Sequence, residues 1–172
     1  EVLGLAETFP LAFYKSQEAA GSELPHAPAA WENKKVLISL SNKESQKDQV
    51  LMIGKTLKDL GFTLVGTQGT ADFYNANGIK CEVVNKIGGG RPDVVDMIMN
   101  KEVCLVINTP KAKRNYAEDR KTIRKVCLKY KVSYITTLAG AVAAVKGIEA
   151  VKNGNGGEGG VKSLQEYHAL IK

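Results

Sequence analysis

Short runs of β-branched and aliphatic residues alternate along the chain with longer stretches whose apolar positions recur every three or four residues. That is the pattern of strands alternating with amphipathic helices. Val36 to Leu40 predicts a first strand, and Val50, Ile53, Leu57 and Leu60 stripe one face of the helix after it, which Gly61 ends. Phe62 to Gly66 predicts a second strand, Ala71 to Ala76 a short helix and Cys81 to Asn85 a third strand. Pro92 suits the first turn of a helix running to about Met99. Val103 to Ile107 is continuously apolar, as a parallel strand covered on both faces should be. A helix over Tyr116 to Tyr130, a strand at Ser133 to Ile135 and an alanine-rich helix from Leu138 to Val151 complete the series. The expected fold is α/β: a five-stranded, mostly parallel, Rossmann-like sheet with helices on both faces.

The two flanks depart from this rhythm. Residues 1–33 hold a predicted helix from Glu7 to Ala20, closed by Gly21, and a link containing Pro25 and Pro28. Residues 34–152 form the sheet domain, and 153–172 are a glycine-rich loop followed by a terminal helix, Ser163 to Ile171. The loop, Asn153 to Gly160, has no strand before it and no Gly-Lys-Ser/Thr after it, so it reads as a linker rather than a phosphate loop.

Composition narrows the class. A chain of 172 residues that is 44% hydrophobic buries one core. Three scattered cysteines, Cys81, Cys104 and Cys127, form no Cys-x-x-Cys pair and read as reduced core residues of a cytoplasmic protein. No run of about 18 apolar residues predicts a membrane span. The start at Glu1, without methionine or signal features, suggests a piece of a longer protein. The net charge of +6 is concentrated in Lys111 to Lys131, where nine Lys/Arg face only Glu118 and Asp119. Lys121, Lys125 and Lys129 form one row opposite the apolar stripe Ile123, Val126, Cys127 and Tyr130, as on a solvated helix face. No aromatic residues are interleaved with them, so nucleic acid is not the expected partner.

Ligands of open parallel sheets bind at the carboxyl ends of the strands. Here those ends carry Ser39, Ser41 and Lys47 after strand one, Thr67-Gln68-Gly69-Thr70 after strand two, Asn85-Lys86 after strand three and Asn108-Thr109 after strand four. Hydroxyls, amides, two lysines and helix N-termini on one edge suit a phosphate monoester. No carboxylate cluster accompanies them to hold magnesium, so no metal is expected in the site.

Several of these motifs resemble a known family. Lys86, Gly90-Arg91-Pro92-Asp93-Val94-Val95-Asp96, Leu105-Val106-Ile107-Asn108-Thr109-Pro110 and Tyr134-Ile135-Thr136-Thr137-Leu138-Ala139 are similar to successive motifs of the C-terminal allosteric, methylglyoxal-synthase-like domain of bacterial-type carbamoyl phosphate synthetase large subunits. Glu1 to Ala20 and Lys162 to His168 resemble the sequence flanking that domain. The resemblance implies a regulatory domain, not itself an enzyme, that binds nucleotide effectors such as UMP and IMP, with ornithine at the border to the preceding domain. Lys47, Thr67, Gly69, Thr70, Lys86, Asn108 and Thr109 would hold the phosphate, Ser39 and Asp119 the base or ribose, and Tyr134 and Thr136 ornithine. The helical wheel also turns Asp119 inward. The implied partners are the remaining large-subunit domains and the glutaminase small subunit. The implied parent reaction uses ATP, Mg or Mn and K to make carbamoyl phosphate for pyrimidines and arginine, with no cofactor in this domain.

Two departures stand out. Pro110 occupies the place of a phosphate-binding threonine, and the basic Lys111-Ala112-Lys113-Arg114-Asn115 after it is one residue longer than the pattern. The segment Ser41 to Gln46 is also about two residues longer than the pattern, which loosens the placement of Lys47. The alternative function is a methylglyoxal-synthase-like phosphate lyase, which needs a general base. That family's aspartate follows a glycine pair, whereas here Gly88-Gly89-Gly90 runs into Arg91, with Asp93 after Pro92; His26 and His168 lie in the flanks. A dinucleotide-dependent oxidoreductase is excluded by the turn after strand one, which has no glycine fingerprint.

Overall fold

The computed structural model describes residues 1–26, 35–41, 43–109, 117–155 and 162–171. Pro28, Pro110, Lys111 to Asn115, Tyr116 and the glycine run from Gly156 lie outside the described residues. The elements are α1 (Phe9–Ala19), β1 (Lys35–Leu40), α2 (Lys47–Asp59), β2 (Thr63–Thr67), α3 (Gln68–Ala76), β3 (Cys81–Val84), α4 (Val94–Met99), β4 (Val103–Thr109), α5 (Ala117–Tyr130), β5 (Ser133–Ile135), α6 (Leu138–Ala150) and α7 (Leu164–Ala169). The strands form one sheet in the order β3-β2-β1-β4-β5. Every pair is parallel, so the expected "mostly parallel" sheet is wholly so.

Residue alternation along the strands divides the core in two. Val36, Ile38 and Leu40 of β1 with Leu105 and Ile107 of β4 pack against α1, α2, α3 and α6. Leu37 of β1, Val65 of β2 and Val106 of β4 face the other way, onto Val94, Met97 and Ile98 of α4 and Ile123 and Cys127 of α5. Burial on both faces explains why β4 reads as an unbroken apolar run. The three cysteines are free and buried, and burial pushes each thiol up to about 12.

The N-terminal helix belongs to the first of these cores. Tyr14 and Leu24 join it, and Gly147 of α6 lets α1 approach so closely that a Cβ there would lie 2.9 Å from the Pro10 carbonyl oxygen. After α1, the Ser133 hydroxyl on β5 donates to the backbone carbonyls of Ser22 and Glu23. At the other end of the chain, Ser163 caps α7 in a reciprocal box with Glu166. Its Tyr167 hydroxyl then donates to the Leu5 carbonyl at 3.1 Å.

Several predicted boundaries move, three of them for a local reason. Helix α3 begins at Gln68 rather than Ala71, because Thr67 is at once the last residue of β2 and the N-cap, with no turn between them. Pro92 stands outside α4. The helix is capped by Asp93, whose carboxylate accepts from the Val95 and Asp96 amides while Asp96 reaches back to the Asp93 amide. Helix α6 ends at Ala150 in a widened turn, Val151–Asn155, that closes on Gly154 at φ 82°. Lys121, Lys125 and Lys129 are exposed on α5, as a solvated row should be.

Gly54 on α2 tests the packing between α2 and α3. A Cβ there would sit 2.4 Å from Cε1 of Tyr74, a ring with no exposed surface whose hydroxyl donates to the Val50 carbonyl at 2.9 Å. Gly54→Ala gains up to ~1 kcal/mol of helix propensity and loses ~1–3 kcal/mol to overpacking. The urea midpoint is therefore expected to fall; an unchanged or raised midpoint would show that the Tyr74 ring can yield.

Candidate functional site

Strand order fixes where a site can form. The chain leaves β1 toward β2 and β3 and then returns to the other side of β1 with β4. The crevice at the carboxyl end of the β1–β4 pair is the topological switch point. In this pair Ser39 stands opposite Asn108 and Leu40 opposite Thr109. Ser39 and Asn108 share the parity of Leu37 and Val106, and Thr67 that of Val65, so all three project to the side covered by α4 and α5.

A cavity of about 300 Å³ opens there. Its floor is apolar, from Leu37, Val94, Val106 and Ile123. Its rim carries Ser39, Ser41, Thr67, Thr70, Asn108 and Thr109 together with Lys43, Lys86, Asp119 and Arg120. Eight sequence-predicted residues therefore converge on one cavity: Ser39, Thr67, Gly69, Thr70, Lys86, Asn108, Thr109 and Asp119.

Lys47 does not line this cavity. It is the first residue of α2 and is exposed. Four residues earlier Lys43 takes its place, because the long connection after β1 makes a turn before the helix starts and brings Lys43 Nζ to 3.6 Å from where a Cβ on Gly69 would stand. Arg120 is the other cation that sequence reasoning missed. The inward position of Asp119 was legible on the helical wheel, and its neighbour follows it to the cavity rim within the first turn of α5. Tyr134 is half-buried on β5 and its hydroxyl accepts from Asn108 Nδ2 at 3.2 Å, whereas Thr136, just past β5, is exposed. Burial raises the Tyr134 phenol, and the Asn108 amide and the positive charge of Arg120 act in the opposite sense.

The hydroxyls are already used as acceptors by the sheet. Thr70 Oγ1 accepts from the Leu40 amide at 3.1 Å, and Thr109 Oγ1 from the Ser41 amide at 3.3 Å. Each keeps its own proton to donate. Helix α3 has no side-chain cap on its first turn, so its leading amides and positive dipole end are open toward the same edge. None of the ion pairs found among the described residues involves Lys43, Lys86 or Arg120. The arrangement can hold an anion with charge-assisted bonds. Among the described residues, no group of three or more His, Cys, Asp or Glu side chains is placed to hold a metal, and no helix is long and apolar enough to cross a membrane.

Comparison with known proteins agrees with this architecture. The family model described as an MGS-like domain matches residues 49–136. The chain belongs to the MGS-like domain family. This MGS-like domain is 44% identical, over 98% of its length, to the carbamoyl phosphate synthase large chain of Archaeoglobus fulgidus, of which it spans 15%. It is 43% identical, over 88% of its length, to the "Carbamoyl phosphate synthase large chain, C-terminal section" of Methanopyrus kandleri, of which it spans 27%. A relative in Ralstonia nicotianae is 41% identical over 99% of the chain, again 15% of that protein. Among solved structures, methylglyoxal synthase from Elizabethkingia anophelis NUHP1 superposes with a TM-score of 0.52, over 66% of this chain and 78% of that one, at 16% identity. At that identity the likeness is one of fold. The matched span excludes β1, so Ser39 and Lys43 lie outside it, while Thr67, Thr70, Lys86, Asn108 and Asp119 lie inside.

Thr70 links the site to stability. At 2% exposure it supplies the acceptor for the buried Leu40 amide. Thr70→Val orphans that donor at a cost of ~1–3 kcal/mol, whereas Thr70→Ser keeps the bond; equal thermal midpoints for the two variants would contradict the assignment.

Proposed function

We propose that this MGS-like domain is the effector-sensing part of a carbamoyl phosphate synthase large chain and that its cavity binds a nucleoside monophosphate. The observation that carries the reading is the cavity at the β1–β4 switch point, where three cations with no ion pair among the described residues, an uncapped helix N-terminus and five hydroxyls surround an apolar floor. The phosphate sits against the first turn of α3, held by the Gly69 and Thr70 amides, the Thr67 and Thr70 hydroxyls, Lys43 and Lys86. Gly69 keeps this approach open for the ligand. Asn108 and Thr109 contact the sugar-phosphate, and Ser39 and Asp119 the ribose or base above Val106 and Ile123. UMP and IMP are the effector type this arrangement suits, acting on carbamoyl phosphate synthesis for pyrimidines and arginine. Tyr134 and Thr136 stand on the β5 edge, where an ornithine site at a domain border would have to be completed by other parts of the large chain.

The parent activity, an ATP-dependent ligation with divalent metal and K, belongs in this reading to the large-chain domains outside this chain and to a glutaminase partner, in the cytoplasm. The only carboxylate lining the cavity among the described residues is Asp119, which is poor provision for a metal-triphosphate. Binding shifts an equilibrium in those domains only through a difference in affinity between two states, so the isolated chain should bind without regulating.

The decisive measurement is a thermal-shift and calorimetric titration with UMP, IMP, ornithine and inorganic phosphate. At least one nucleotide is expected to stabilise the chain, by about 2.7 kcal/mol at 100 times its Kd, and Lys86→Ala to weaken it roughly ten- to a hundredfold, the worth of a charged hydrogen bond. No shift with any nucleotide would remove the sensing reading.

A phosphate lyase is the alternative, and the position of Asp93 argues against it. Its Oδ1 accepts from the Val95 amide at 2.8 Å and the Asp96 amide at 3.1 Å, and Asp96 pairs with Arg91 at 3.1 Å. A carboxylate committed to a helix cap outside the cavity cannot serve as a base within it. Dihydroxyacetone phosphate should therefore release no phosphate above the uncatalysed rate; turnover abolished by Asp93→Asn would reverse this conclusion.

A further inference from the structure

The cations of the cavity occupy different ends of it. Lys43 stands over Gly69 at the start of α3, and Lys86 follows β3, so both sit on the β2–β3 side. Arg120 enters from the first turn of α5, on the β4–β5 side, close enough for its charge to be felt at the Tyr134 hydroxyl. Strands lie ~4.8 Å apart, so β2 and β4 are separated by about 10 Å across β1. A single phosphate at the α3 terminus leaves the Arg120 end to the rest of the ligand.

The chemistry at that end is specific. Arg120 is half-buried and has no ion pair among the described residues, so its planar fork of donors is partly desolvated and without a carboxylate partner. Beside it Asp119 offers only acceptors, and Asn108 stands at 7% exposure with its amide nitrogen turned to Tyr134. A second phosphate would gain Arg120 but meet the Asp119 charge. A neutral ring carrying carbonyl oxygens and N–H or hydroxyl donors satisfies both, while its faces cover Val106 and Ile123.

We infer that Arg120 is the specificity-determining residue of the cavity, reading carbonyl oxygen on the end of a phosphomonoester remote from its phosphate. This rests on the phosphomonoester reading given above and adds to it a division of labour. Lys43, Lys86 and α3 capture any phosphate, and Arg120 distinguishes a nucleotide with an oxo-substituted base from a bare sugar phosphate.

Calorimetric titration of the whole chain with UMP, ribose 5-phosphate and inorganic phosphate separates the two roles. In Arg120→Ala the affinity for UMP should fall about tenfold or more, with ribose 5-phosphate and phosphate changed less than about twofold. Lys86→Ala should weaken all three together. Arg120→Lys, which keeps the charge but loses the fork, should recover only part of the UMP affinity, and it carries the comparison should Arg120→Ala unfold. Equal losses for all three ligands in Arg120→Ala would make Arg120 a phosphate ligand and overturn the inference, as would an unchanged UMP affinity. If the unaltered chain binds none of the three, the phosphomonoester reading itself fails, a result distinct from either of these.

Discussion

The register of the β1–β4 pair is the constraint on which the rest of this structure depends. Parallel pairing of Ile38 with Ile107 places Ser39 opposite Asn108 and Leu40 opposite Thr109. A slip of one residue would invert every side chain of the strand, sending Ser39 or Asn108 into the apolar layer under α6 and bringing Ile38 or Ile107 to the cavity. Such a slip is strongly opposed, because Val36, Ile38, Leu105 and Ile107 are fully buried on one face and Leu37 and Val106 nearly so on the other. The hydrophobic cores therefore decide the geometry of a polar site that they do not contain. Polar atoms at the carboxyl edge reinforce the same register, since the Thr70 and Thr109 hydroxyls accept from the amides that end β1.

That polar edge is electrostatically incomplete by itself. Lys43, Lys86 and Arg120 gather around a cavity whose only lining carboxylate among the described residues is Asp119, while α3 adds an uncapped N-terminus. Elsewhere the chain treats its charges differently: Asp93 and Asp96 close the cap of α4, Arg91 pairs with Asp96, and Lys35 pairs with Glu82. Like charges brought together at a half-buried edge repel one another, and an anionic ligand relieves that repulsion.

Helix α1 and the segment after it are tied to the sheet by contacts that join distant parts of the chain. Tyr14 and Leu24 lie in the same core as β1 and α6, and Ser133 holds the carbonyls of Ser22 and Glu23. Successive residues of β5 thus face opposite ways, Ser133 toward this N-terminal segment and Tyr134 toward Asn108 at the cavity. The edge strand joins a site on one face to a covering element on the other.

Alternating apolar runs and striped helices were enough to specify five strands, their helices and the carboxyl edge where polar residues collect, because burial has a period that sequence displays directly. The motifs around Lys86, Asn108 and Tyr134 likewise carried the family. Two kinds of feature were not legible. The start of α3 was hidden because Thr67 ends a strand and occupies the N-cap position of a helix at once, leaving no turn signal between them. The choice of Lys43 over Lys47, the arrival of Arg120 beside Asp119 and the pairing of Asn108 with Tyr134 depend on how connections of a given length fold back over the sheet. Local sequence fixes which face of an element is apolar; which charged side chains meet across a cavity is fixed only when strand order and register bring distant elements together.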